Sequence, residues 1–199
     1  MTFALVRHGQ TDWNRDDKLQ GSSDIPLNDA GREQAHDAAR ALAAAGAWHA
    51  VVSSPLSRAR ETARIIAADL GLALGPSYPD LAERDYGALE GTSSSAAVAA
   101  YPHRDYPGAE TLDEVATRGR RALDAIADAY GEQQVVVVAH GTLIRYTLAS
   151  LAGHPVEGIR NGTVSTADRV DGVWTVLTVN GAPCTPADDE GRHWPWMAG

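Results

Sequence analysis

Val135-Val136-Val137-Val138-Ala139-His140-Gly141-Thr142 decides the fold. Four consecutive β-branched residues favour an extended chain. A run that is apolar at every position, rather than at alternate ones, belongs to a strand covered on both faces. Such strands sit in parallel sheets flanked by helices, where ligands bind beyond the carboxyl ends of the strands. The polar His140-Gly141-Thr142 after the valines therefore falls where chemistry is expected.

Working outward, Thr2-Phe3-Ala4-Leu5-Val6 reads as a second buried strand, running into Arg7-His8-Gly9-Gln10-Thr11 as a polar loop. Residues 50–53 read as a third, and 72–78 as a weaker one, broken by Gly75 and Pro76. Between them stand helical patterns. Asn28 caps a helix over 29–45 that Gly46 closes, and 58–70 carries Ala59, Thr62, Ala63, Ile66 and Leu70 on one face. Residues 111–130 repeat apolar side chains at helical spacing up to Gly131, and 143–151 form a helix ending at Gly153. The stretch 80–108 is irregular, with Ser93-Ser94-Ser95 starting a short helix that Pro102 and Pro107 end. Asp171-Gly172, between residues 163–170 and 173–179, marks a β-hairpin. The expectation is an α/β protein: three layers, α/β/α, with a mostly parallel sheet and a C-terminal hairpin. Residues 1–199 are read as a single domain, with 182–199 an irregular tail.

The chain has 199 residues with 17 Lys+Arg against 26 Asp+Glu, a formal charge of −9. That balance disfavours nucleic acid and anionic membranes as partners, since both require excess positive charge. It does not disfavour a small anionic ligand in a locally basic pocket. One cysteine, Cys184, allows neither an intrachain disulfide nor a multi-cysteine zinc site, and points to a reducing compartment. No run of 18 apolar residues suggests a membrane span, and the apolar start is cut by Arg7 and His8 too early for a signal peptide. The expected location is the cytoplasm.

Three strand ends carry chemistry: Arg7-His8-Gly9, Ser53-Ser54-Pro55-Leu56-Ser57-Arg58 and His140-Gly141-Thr142. If the strands are neighbours, two arginines and two histidines converge. The guanidinium fork makes paired hydrogen bonds to phosphate oxygens, and imidazole serves as nucleophile, acid or charge stabiliser near neutral pH. Gly9 and Gly141 would let backbone amides approach an anion, and the helices opening near Arg58 and Leu143 would add their positive ends.

In order along residues 2–180, these motifs resemble the histidine phosphatase superfamily, in its phosphoglycerate mutase-like branch. Arg7-His8-Gly9-Gln10-Thr11 with Trp13-Asn14 resembles the opening signature, and Ser53-Ser54-Pro55-Leu56-Ser57-Arg58-Ala59 with Glu61-Thr62-Ala63 the second arginine segment. Leu81-Ala82-Glu83, Tyr86-Gly87 and Glu90-Gly91 resemble the acid/base segment. Gly108-Ala109-Glu110-Thr111 is similar to a common helix start, and Val138-Ala139-His140-Gly141 to the second histidine segment. The resemblance implies His8 as nucleophile, forming a phosphohistidine, and Arg7, Arg58 and His140 as holders of the equatorial oxygens. It implies Glu83 as acid and base, and Asn14, Gly141, Thr11 and Gln20 as substrate contacts. It implies no metal and no cofactor. The partner would be a small phosphorylated metabolite.

The family includes hydrolases and mutases. Here the 91–108 segment offers only His103 and Arg104 as cations, and Thr142 stands where the mutases usually present asparagine. Both departures favour water as the acceptor, hence a phosphomonoesterase. The alternatives are phosphoglycerate mutase-type transfer, a silent phospho-ligand binding module, and a metal-dependent hydrolase built on His8, His140 and a carboxylate. Among the other histidines, His103 alone lies in a region expected to reach the pocket. Asn161-Gly162-Thr163 reads as a turn, Asp188-Asp189-Glu190 as a solvated run, and Trp194 and Trp196 as a packed tail.

Overall fold

The computed structural model describes residues 1–185. The expectations for Asp188-Asp189-Glu190, Trp194 and Trp196 lie outside them. The valine strand β4 (Val135–Ala139) sits inside a seven-stranded sheet. On one side it pairs in parallel with β1 (Thr2–Arg7), and on the other with β2 (Ala50–Ser53), which pairs in turn with β3 (Leu74–Ser77). Beyond β1 the sheet turns antiparallel through β5 (Val164–Val170), β6 (Val173–Val179) and the short β7 (Ala182–Pro183). The order is β3-β2-β4-β1-β5-β6-β7, so the sheet is mixed, with its parallel half formed by β1 to β4. Asp171 and Gly172 both take positive φ, 51° and 79°, as the two-residue turn between twisted strands requires.

The alternation of the valines explains the layers. Val135 and Val137 join a core with Phe3, Leu5 and the inner faces of α5 (Leu112–Tyr130) and α6 (Gly141–Ala152). Val136 and Val138 point the other way, into a core with Ala4, Val6 and helices α2 (Asp29–Ala45) and α3 (Ser57–Asp69). All four are fully buried, each stabilising the fold by roughly 1.5–3 kcal/mol. A third, smaller cluster of Leu19, Tyr86, Ala97 and Tyr106 lies apart from the sheet and includes α4 (Ser94–Ala100).

One helix was not expected. Residues 12–15 form α1 (Asp12–Arg15), started by a reciprocal cap between Thr11 and Asn14. The usual signature of that cap has Glu or Gln at the third helical position, and here Asn14 replaces it.

Candidate active site

Backbone pairing continues past the strand ends and fixes the site. His8 N–H donates to Ala139 O at 3.0 Å, and Ser54 N–H to Val138 O at 2.9 Å. These bonds set His8, Ser54 and His140 side by side. Above them opens a pocket of about 330 Å³, lined in part by Arg7, His8, Asn14, Arg58, Glu83 and Gly141.

His8 is buried, and its Nδ1 lies 2.7 Å from Gly9 O. A carbonyl can only accept, so Nδ1 carries the proton and Nε2 keeps its lone pair in the neutral ring. Burial, then the charges of Arg58 and Arg7, hold the ring's pKa well below 6.5. His140, fully buried, places Nε2 at 2.7 Å from Ser54 Oγ. Its pKa too is held well below 6.5, by burial first and then by Arg58, His8 and Arg7.

The arginines are anchored from behind. Arg58 donates to Ser23 O and Gly21 O, both at 2.8 Å, and Arg7 donates to Ile159 O at 2.6 Å. Each guanidinium has five N–H groups, so both keep donors beyond those anchors. Arg7 Nε, Arg58 Nε and His140 Nδ1 are buried with no hydrogen-bond partner among the described residues. Arg7 and Arg58 line the pocket, and their unpartnered donors suit a ligand with several oxygen acceptors, as a phosphoryl group has; His140 is fully buried behind them and is not among the lining residues.

Glu83 does not hang in solvent. Its Oε2 accepts from Thr142 N–H at 3.0 Å, and its Oε1 from Leu143 N–H at 3.0 Å and Arg84 N–H at 2.8 Å. The first turn of α6 thus holds the carboxylate at the pocket wall. Thr142 Oγ1 lies 2.5 Å from the Tyr86 hydroxyl, another pocket residue. Asn14 lines the pocket, and its Oδ1 accepts from Thr11 N–H at 3.2 Å. Gln20 also lines the pocket, with Oε1 taken by the Thr11 hydroxyl at 2.7 Å.

Several expectations are corrected. Thr11 is fully buried and does not line the pocket; it caps α1 and holds Asn14 and Gln20. Gly9 does not offer its amide to an anion, because Gly9 N–H donates to Thr62 Oγ1 at 3.1 Å. It is glycine because a Cβ there would lie 2.0 Å from Gly31 O, where α2 crosses the loop. Gly141 lines the pocket, and its lack of a side chain also admits Arg7, whose Nε would lie 3.1 Å from a Cβ there. At the start of α3, Ser57 N–H is taken by Asp24 Oδ1 at 2.8 Å. His103 is exposed and absent from the lining, while its neighbour Arg104 is present.

Read from the sequence, Asn161 belongs to a turn and nothing more. It is in a turn, yet it lines the pocket, donating from Nδ2 to His8 O at 3.0 Å and to Asn14 Oδ1 at 3.1 Å. Tyr86, from the segment that carries Glu83, also enters the wall, as do Lys18 and Arg145, which no local pattern marks as site residues.

Comparison with known proteins places this geometry in a lineage. The model of the histidine phosphatase superfamily (branch 1) matches residues 3–181. A Bacillus subtilis protein named uncharacterized phosphatase PhoE is 37% identical over 180 residues, covering 88% of this chain and 92% of its own. Phosphoglycerate mutase-like protein 4 of Arabidopsis thaliana is 38% identical over 189 residues, covering 87% of this chain and 82% of its own. A mycobacterial glucosyl-3-phosphoglycerate phosphatase, solved with VO3, superposes with a TM-score of 0.80 at 28% identity, covering 91% of this chain and 99% of that one. The match over nearly the whole chain makes this protein a member of branch 1 of the histidine phosphatase superfamily.

Proposed function

We propose that the chain hydrolyses a small phosphomonoester through a phosphoenzyme on His8, with no need for a metal. The observation that carries this is the fixed tautomer of His8, whose Nδ1 proton is held by Gly9 O, leaving Nε2 as a nucleophile beside Arg7 and Arg58. Nε2 forms a bond to phosphorus while the ester oxygen departs, taking a proton from Glu83. Arg7, Arg58 and His140 stabilise the charge on the three equatorial oxygens, with Asn14, Gln20 and the start of α6 at Gly141 as further contacts. Glu83, now a carboxylate, takes a proton from water as that water attacks phosphorus. Phosphate leaves, His8 Nε2 is freed, and Glu83 is protonated again for the next cycle.

Among the described residues no helix is long and apolar enough to cross a membrane. A metabolite-sized ligand suits a pocket of about 330 Å³, and an acidic chain with one cysteine suits the cytoplasm.

A panel of phosphorylated metabolites, run with excess chelator, tests the reading. Phosphate release that vanishes in His8→Ala, with base-stable label trapped on the wild type from a labelled ester, is the expected result. No release from any ester by the wild type would leave a ligand-binding module. Isomerisation of 3-phosphoglycerate with negligible hydrolysis would establish a mutase, the reading that the second relative's name suggests.

A further inference from the structure

Glu90, seven residues beyond Glu83, lies outside the pocket lining, yet its half-buried carboxylate is fully engaged. Its Oε1 accepts from Ser22 N–H at 2.8 Å, and its Oε2 from Ser23 N–H at 2.9 Å and Ser23 Oγ at 2.5 Å. Burial pushes the carboxyl pKa up, but the bonds from Ser23 and Ser22 outweigh burial and hold it below the usual range. Glu90 is therefore an anion at neutral pH. The backbone clasps the two segments as well: Gly91 N–H donates to Leu19 O at 2.8 Å, and Leu19 N–H to Thr92 O at 3.0 Å. Gly21, with φ +53°, admits the carboxylate, since a Cβ there would lie 1.9 Å from Glu90 Oε1.

The same loop anchors Arg58, whose Nη2 donates to Gly21 O and Nη1 to Ser23 O. Gly21 O and Ser22 N–H are the two ends of one peptide group. The Arg58 cation grips that group at its oxygen and the Glu90 anion at its N–H, so its dipole is favourably aligned with both charges. Each bond polarises the amide and strengthens the other. Ser23 is held in the same way, by Glu90 at its N–H and hydroxyl and by Arg58 at its carbonyl. Burial works against the Arg58 charge, and Glu83, Asp24 and Glu90 support it. Glu83 is bound to the start of α6 and Asp24 to Ser57 N–H, which leaves Glu90 as the carboxylate that holds the peptides under Arg58. Arg7 is anchored on a different segment, at Ile159 O.

We propose that Glu90 is a positioning residue for phosphoryl transfer: through the Gly21–Ser22 peptide and Ser23 it fixes the Arg58 guanidinium in the place and direction that the phosphoryl oxygens require. Misplacing a group that must meet the transition state by about 1 Å can cost on the order of 10²-fold in rate. The task given to Arg58 rests on the phosphatase reading above, whereas the coupling of Glu90 to Arg58 does not.

Orthovanadate, which accepts five ligands as phosphorus does during transfer, reports on Arg58 whether or not an ester is turned over. Glu90→Gln removes the charge and keeps the shape, and should weaken vanadate binding about tenfold by titration calorimetry. Glu90→Asp should recover part of that loss, and Ser23→Ala, which deletes one bond to Glu90, should cost about threefold. In an Arg58→Ala background Glu90→Gln should cost less than about twofold, because the group that it positions is gone; a bracing role would cost the same in both backgrounds. Nitrogen-15 spectra need no Arg58 variant: among the guanidinium signals that shift with vanadate, Glu90→Gln should broaden that of Arg58 and leave that of Arg7. With p-nitrophenyl phosphate, kcat/KM should fall in parallel with vanadate affinity. No vanadate binding by the wild type, binding unchanged by Glu90→Gln and Ser23→Ala, equal losses with and without Arg58, or spectra in which both guanidinium groups change alike would overturn the proposal. If the wild type hydrolyses no ester while vanadate binding keeps its dependence on Glu90, the phosphatase reading fails and the positioning of Arg58 stands.

Discussion

His8 and His140 face each other with ring centres 5.1 Å apart and planes inclined by 60°. Both are buried, and Arg58 acts on both. Neither ring takes a proton until the pH is well below 6.5, whereas in the unfolded chain each titrates near 6.5. Below that value the unfolded chain binds more protons, so stability falls with pH. The slope approaches about 1.4 kcal/mol per pH unit for each histidine and ends once the folded values are passed. Urea midpoints between pH 7.5 and 5 should show this fall, with a shallower slope in His140→Asn; an unchanged slope would count against a neutral buried pair. The acid limb of kcat/KM should likewise lie below pH 6.5.

Glu83→Gln keeps the shape of the side chain and removes its proton chemistry. Loss of general acid–base catalysis costs about 10²–10⁴-fold in kcat. The loss should depend on the leaving group, because an ester of a good leaving group does not need the first proton. With p-nitrophenyl phosphate, rapid mixing should show a burst of nitrophenol followed by slow turnover, since the attack of water still needs a base. Absence of a burst, with both ester types slowed equally, would argue for a purely positional role.

Asn161 holds the His8 carbonyl and the Asn14 side chain, and so spaces the nucleophile loop from the start of α1. Asn161→Ala should weaken kcat/KM about tenfold, the equivalent of about 1.4 kcal/mol, a typical value for lost hydrogen bonds. Steady-state kinetics should place most of the change in KM if Asn161 serves ground-state binding. An effect confined to kcat would mean that its bonds matter only as phosphorus transfers.

Gly9→Ala tests packing rather than chemistry. The new methyl would meet the Gly31 carbonyl at 2.0 Å, backbone against backbone, and the Gly31→Ala methyl would meet Gln10 O at 2.1 Å. Each substitution should destabilise by roughly 3 kcal/mol or more, at or above the top of the usual range for overpacking. Thermal denaturation gives the figure, and a change under 1 kcal/mol would show that the loop and α2 can part at little cost.

The sequence alone determined the layers. Val135–Val138 had to be a strand buried on both faces, and their alternation between two helical cores is what an unbroken apolar run implies. The helices over 29–45 and 112–130 were legible because helical spacing and caps are local properties. His8, Arg7, Arg58 and His140 were legible as a group because each lies at or beyond a strand end, and parallel strands bring such ends together. Tertiary structure decided what was not local. Asn161 lies 153 residues from the His8 carbonyl that it binds, so no window of sequence joins them. Counting cations within 91–108 found Arg104 but not Lys18 or Arg145, which come to the same wall from other parts of the chain. Gly9 showed the same limit: its reason is the passage of α2, a contact made across more than twenty residues and set by packing. Patterns of burial repeat along a chain and can be read from it, whereas a pocket is a surface assembled from distant segments, and its composition exists only once they have packed.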